Sequence, residues 1–257
     1  MFTNFINDLD VVDPSTVEIY GPTYPIAQWL NGDPKLALSG GVAYTGGVIL
    51  PLKYLKEDVA PAPGWMEETI AFSTGKSEPV LAAPTPKLAV IRTRFRWFVS
   101  SDGLTTYYPR ANYVQETGMR GHLQALCGIE GYEFPVVVTF KGKASQEFER
   151  LLKVFNQTIQ EAYQRSIQSH KHFPRFAFYL TLQPGPHVKV GQKGQESIIT
   201  PPVLDLPSTI SEEYLSKVYV GRERLMDFQQ MFHEAADWAT AWDRPGTETI
   251  LAEEPEA

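Results

Sequence analysis

Residues Leu88 to Ser100 (LAVIRTRFRWFVS) constrain this chain more than any other stretch. β-Branched and aromatic residues dominate it, and basic and apolar positions alternate from Arg92 onward, the pattern of a strand with two unlike faces. Side chains two apart share a face of a strand, so Arg92, Arg94 and Arg96 line one side, flanked by Val90 and Phe98. Ile91, Thr93, Phe95, Trp97 and Val99 take the other. The run ends at Ser101-Asp102-Gly103, a turn signal, and Leu104 to Tyr108 (LTTYY) follows as the returning strand of a hairpin. A chain organised round such a strand folds as a sheet, with one face carrying three like charges about 6.5–7 Å apart.

The other segments fill in the class. His122 to Ile129 and Pro135 to Lys141 read as a second strand pair around Glu130-Gly131-Tyr132. Phe148, Leu151, Leu152, Phe155, Ile159, Ala162 and Tyr163 recur at helical spacing and predict one amphipathic helix over about 145–169. Arg175 to Gln183 and Glu196 to Val203 are again strand-like, with Gly185 to Gly194 an exposed basic hairpin or loop between them. Thr209 and Glu212 have capping-box spacing, and the stripe Leu225, Phe228, Phe232, Ala235, Ala236, Ala239, Trp242 extends a second helical region over about 209–243, with Gly221 as a candidate break. Before Pro86 turn signals dominate: Val42–Tyr44 and Val48–Leu50 read as short strands around a Gly46-Gly47 turn, and Pro79 to Pro86 as an irregular connection. Strands do not alternate regularly with helices, which argues against a doubly wound parallel sheet. The expectation is an α+β fold: an antiparallel OB-like β-barrel core of five to seven strands with two packed α-helices. It forms a single globular domain over 1–244, followed by a flexible acidic tail over 245–257.

Charge is distributed unevenly. The net formal charge is -7, from 23 basic and 30 acidic residues among 257. Asp8, Asp10, Asp13 and Glu18 lie in the first twenty residues, and Glu248, Glu253, Glu254 and Glu256 in the last thirteen, with no base in either segment. Positions 21–244 therefore hold 22 acidic and 23 basic residues, a formal charge of +1. An acidic total does not exclude a polyanion partner when the acids sit at the ends. No apolar run approaches the ~18–20 residues of a membrane span, and residues 1–20 lack the basic start and apolar stretch of a secretory signal, so the expectation is a cytoplasmic protein without membrane contact.

Catalytic chemistry finds no foothold. Gly75-Lys76-Ser77 has the second half of a phosphate loop, but the first glycine of that motif falls on Ile70. Cys127 and His122 are five apart in a strand and point to opposite faces, and the single cysteine reads as a small core residue. His170 and His172 have no acidic or cysteine partner at ligand spacing, and histidine near a helix C-terminus is favourable without a metal. Glu67-Glu68 and Glu212-Glu213 are sequence neighbours that point apart. The expectation is a non-enzymatic protein with no cofactor and no metal.

The arginine strand points instead to an anion. Three like charges on one face repel unless an anion or carboxylates offset them, and the neighbouring Thr105–Tyr108 strand offers no acid. Acids from elsewhere in the fold are the structural alternative. Arg110, Arg120, Lys141 and Lys143 lie nearby in sequence and would extend a phosphate track, while Tyr107, Tyr108 and Tyr113 are candidate stacking platforms for bases. Phe95 and Trp97 read better as core.

In plan, Arg92 to Trp97 together with the tail Glu248 to Glu256 resemble the OB-fold single-stranded-DNA-binding proteins of phages, plasmids and bacteria. That resemblance implies a groove for the strand and a tail that recruits protein partners and competes for the groove. The tail here ends in Pro-Glu-Ala rather than the Pro-Phe of the bacterial proteins. Gln28 to Pro34, and Leu123 to Leu126 through Val136 to Gly142 (VVVTFKG), are similar to an uncharacterised family of cyanobacteria and mobile elements, a likeness that brings no activity with it. The functional expectation is sequence-tolerant binding of single-stranded DNA, with RNA left open. The alternative is a structural or protein-interaction module of a phage or mobile genetic element.

Overall fold

The computed structural model describes residues 24–37, 43–56, 59–71, 77–101, 104–113, 118–190, 197–243 and 249–252. In chain order the first strands are β1 (Ile26–Ala37), β2 (Ala43–Pro51), β3 (Met66–Ala71) and β4 (Ser77–Ala83). The arginine strand β5 (Lys87–Ser101), β6 (Leu104–Pro109), β7 (Arg120–Ile129), β8 (Pro135–Lys141) and helix α1 (Lys143–Ile167) follow. Next come β9 (Leu180–Pro184), β10 (Val188–Val190), β11 (Ser197–Ile199) and β12 (Pro202–Leu204). Helices α2 (Glu212–Val218), α3 (Arg222–Glu234) and α4 (Ala236–Thr240) and strand β13 (Thr249–Ala252) complete the order.

Strand β5 is the spine of an 11-stranded sheet in which nine strands run in the order β12-β9-β5-β7-β8-β1-β2-β4-β3, and β6, with β13 beyond it, branches from β5. One of its edges runs along β7. Its other edge is shared, with β9 at the start and β6 at the end. Between Val90, opposite Cys127, and Arg92, opposite Leu126, the register slips by one residue at Ile91. Such a bulge places two successive residues on one side and reverses the alternation beyond it. The carbonyl of the bulged Ile91 accepts hydrogen bonds from Arg175 Nε and Nη2 at 3.2 and 3.1 Å, so the irregularity is fully satisfied.

Each face of the sheet has its own cover. On one side Phe148, Leu152, Phe155 and Ile159 of α1 join Val90, Phe95, Leu123, Cys127, Val138 and Phe140 in the main core. On the other side Phe228 of α3 and Ala235 pack with Ala89, Ile91, Leu126 and Val137. Phe228 fits there because Gly128 has no side chain: a Cβ at that position would overlap the Phe228 ring. No helix among the described residues is long and apolar enough to cross a membrane.

The α+β class holds, and the finer architecture is corrected. The sheet is open rather than barrel-closed, its order ending at β12 and β3, and it is mixed because β1 pairs parallel with β8. The second helical region is three helices: Gly221 (φ +86) separates α2 from α3, and Ala235 (ψ 17) separates α3 from α4. Its cap is Ser211, whose Oγ accepts from the Tyr214 amide, rather than Thr209. Gly46 and Gly47 do not make a turn. Both lie inside β2 at positive φ, and Gly47 lets the Ala83 carbonyl of β4 approach closer than a Cβ would permit. Of the stretch Pro79 to Pro86 expected as an irregular connection, residues 79–83 belong to strand β4, which lies between β2 and β3 and is buried from Val80 to Ala83. Within the segment expected as a flexible tail, Thr249–Ala252 pairs antiparallel with β6, while Glu248, Glu253, Glu254 and Glu256 lie outside the described residues.

Candidate nucleic-acid interface

Arg92, Arg94 and Arg96 share a face of β5 with Phe98, as the alternation predicts, but the bulge replaces Val90 with Ile91 as their neighbour on that side. Above them the C-terminal helices lay down aromatic rings. The Arg92 guanidinium carbon is 3.7 Å from the Phe232 ring. That of Arg94 lies between Trp238 at 4.3 Å and Trp242 at 4.1 Å. Arg96 sits between Trp242 at 4.1 Å and Tyr107 at 3.4 Å. The result is an alternating stack, Trp238–Arg94–Trp242–Arg96–Tyr107, in which ring faces meet cations.

Hydrogen bonds complete the arrangement. Arg92 Nε donates to the Phe232 carbonyl at 2.6 Å and Arg94 Nη1 to that of Trp238 at 3.3 Å, carbonyls in the last turns of α3 and α4. Arg94 Nε and Nη2 both reach Gln124 Oε1, at 2.9 and 2.7 Å, and Gln124 Nε2 passes the chain on to Thr139 Oγ1 at 3.2 Å. Among the described residues no carboxylate pairs with any of the three arginines. Neither an open phosphate track nor an ion-pair ladder results. Burial lowers the pKa of Arg94 to about 9 and that of Arg96 to about 10, and both stay charged at neutral pH.

Next to Arg96 on β7 lies His122, whose Nδ1 accepts from Arg96 Nε at 3.4 Å. The imidazole proton therefore resides on Nε2, a buried donor without an acceptor among the described residues. Burial first, then the charges of Arg96, Lys141 and Arg94, holds this histidine well below the usual range, so it is neutral. The sheet face from β5 to β8 thus carries a surplus of positive charge.

At the end of these strands lies a cleft of ≈ 260 Å³. Phe98 of β5, Arg120 of β7 and Lys141 of β8 line it, and Gly142, Lys143 and Ala144 bring in the start of α1. Gln28 to Asn31 of β1 also line the cleft. Val190, Ser197, Ile198 and Ile199 of the β10–β11 hairpin complete the lining. The hairpin is fixed at its base by buried Thr200. Its carbonyl accepts from Trp29 Nε1, its Oγ1 from the Gly32 amide, and its own amide donates to Asn31 Oδ1, each at 2.9 Å. Gly142 adopts φ 57 and ψ -129, which only glycine holds without strain, and so turns the chain sharply from β8 into α1. Lys143 pairs with Glu147 at 2.9 Å, holding that carboxyl below its usual range, and the Arg120 guanidinium lies 4.8 Å over Phe98.

The ten residues singled out from the sequence fall into three groups. Arg92, Arg94, Arg96 and Tyr107 belong to the cation–aromatic stack. Arg120, Lys141 and Lys143 meet in the cleft. Arg110, Tyr108 and Tyr113 are displaced to the α1 side. Arg110 bonds Glu149 of α1 at 3.0 Å, Tyr113 packs against Trp97 at 4.4 Å with the rings tilted by 37°, and Tyr108 pairs in register with Trp97. Phe95 is core, and Trp97 packs edge-on against it at 4.8 Å. Sequence reasoning missed Trp238, and it set the exposed hairpin within Gly185 to Gly194, whereas Val188–Val190 pairs with Ser197–Ile199. Phe232 and Trp242 were legible as members of an apolar stripe, but not as partners of arginines about 140 positions away.

Comparison of the chain with protein families, with curated proteins and with solved structures gives no match.

Proposed function

We propose that the protein is a non-enzymatic, sequence-tolerant binder of single-stranded nucleic acid, DNA in the first instance, and that it contacts phosphates through Arg120, Lys141 and Lys143. The observation that carries this reading is the convergence of those three basic side chains, from β7, β8 and α1, in one cleft whose lining also includes Val190, Ile198 and Ile199 of the hairpin. Phosphate neutralisation by Lys and Arg supplies most sequence-independent affinity, and an apolar surface beside it suits unstacked bases. The arginine stack of β5 acts behind the cleft. It locks α3 and α4 onto the sheet and adds uncompensated charge that favours an anion nearby. The likeness in plan to OB-fold single-strand binders supports the same reading, although the groove here lies on an open sheet.

Fluorescence anisotropy of a labelled oligo-dT titrated with the full chain at low salt tests the proposal. Saturable binding supports it. Absence of binding would favour the protein-interaction module of a phage or mobile element.

A further inference from the structure

The lining of the cleft is chemically mixed. Arg120, Lys141 and Lys143 line it together with Ile198 of the hairpin, which shares its face of the ribbon with Lys189, its partner in register. Ile198 is 60% exposed, the most exposed of the large apolar residues among those described. An isoleucine held in water on a two-stranded hairpin adds nothing to the core, yet the hairpin is anchored by three hydrogen bonds at Thr200 and by Gly185 N donating to the Pro201 carbonyl at 2.8 Å. The base of the hairpin is therefore tied to β1, and Ile198 shares the cleft lining with the cations. A bare polyanion has no use for that isoleucine. The space, ≈ 260 Å³, lies below the ~300–1,000 Å³ of pockets for drug-sized ligands and suits a single nucleotide unit.

Resting on the nucleic-acid reading above, we propose that this cleft seats one nucleobase of a single strand against Ile198 while its phosphate lies on the basic side chains. Ile198 is then the residue that distinguishes a base-bearing single strand from a bare phosphodiester chain or a duplex. In a duplex the bases are stacked inside and the phosphates point out, so the basic side chains can be reached but Ile198 stays unused. A single strand can turn a base outward at modest cost, and the planar face then covers the isoleucine. Binding removes the apolar surface of both from water, a gain that is indifferent to base identity and consistent with sequence tolerance.

The test compares three probes of equal length, oligo-dT, an abasic oligodeoxynucleotide and a dT·dA duplex, on the full chain and on Ile198→Ser and Ile198→Leu. For the unmodified chain, oligo-dT is expected to bind about tenfold more tightly than the abasic strand or the duplex. Ile198→Ser is expected to lower oligo-dT affinity about tenfold and leave the abasic strand unchanged, and Ile198→Leu to retain the preference. Equal affinity of the unmodified chain for oligo-dT and the abasic strand, or an equal loss for both probes in Ile198→Ser, overturns the role of Ile198 but leaves nucleic-acid binding standing. Failure of the unmodified chain to bind any of the three probes overturns the nucleic-acid reading itself. Ile198 is exposed, so the serine variant should keep the unfolding midpoint of the parent, which separates a binding effect from misfolding.

Discussion

The Arg94 guanidinium carbon lies 4.1 Å from the centre of the Trp242 ring, and that of Arg96 lies over the same ring at the same distance. One indole thus serves two cations. It fastens the end of the C-terminal helices to the middle of the sheet and makes two half-buried arginines tolerable where no carboxylate of the described residues pairs with them.

Trp242→Ala should accordingly destabilise the fold by about 3 kcal/mol, through lost packing and through two abandoned cation–π contacts. A double-mutant cycle with Arg94→Met, read by urea unfolding, should give a coupling of about 0.5–2 kcal/mol. A coupling of zero would mean that the ring and the guanidinium are neighbours without interaction.

Stability should fall on mild acidification because of His122. Its folded pKa is depressed below the ordinary 6.5, so the unfolded chain takes up a proton first. The stability contributed by the neutral imidazole is fully present above pH 6.5 and is lost as pH falls below it, at no more than about 1.4 kcal/mol per pH unit. Comparing urea midpoints at about pH 7.5 and about pH 5.5 should show a steeper decline for the parent than for His122→Asn. Parallel curves would show that His122 does not contribute.

Gly128 should not tolerate a methyl group. Its missing side chain is the seat of the Phe228 ring, the largest fully buried anchor of α3. Gly128→Ala is expected to destabilise by about 1–3 kcal/mol, and much of that loss should return in Gly128→Ala/Phe228→Leu. A neutral effect in thermal unfolding would place α3 elsewhere.

What the sequence discloses here follows the range of the forces involved. Strand and helix identity in β5, β7, β8 and α1 came from local periodicity, and their bounds differ from the structure by at most two residues. The arginine face was legible for the same reason. Its partners were not, because Phe232, Trp238 and Trp242 lie about 140 positions downstream, on helices whose apolar stripe looks like ordinary core. The bulge at Ile91 also escapes a strict alternation, since its carbonyl is satisfied by Arg175, 84 positions away. The open sheet, the parallel β1–β8 pair and the burial of β4 are all long-range pairings. In β4 Pro79 read as a breaker, although at the β3–β4 register it sits exposed opposite Thr69. Three of the ten candidate site residues converge in the cleft because β7, β8 and α1 happen to deliver them to the same end of the sheet.

The salt dependence of oligo-dT binding tests the central claim most directly. Three phosphate contacts on a single strand correspond to a log–log slope near about -2. The parent chain should show at least that slope, and Arg120→Ala/Lys141→Ala/Lys143→Ala should bind more weakly with a slope shallower by about 2. An unchanged slope in the triple variant would contradict the assignment of the cleft as the phosphate-binding site.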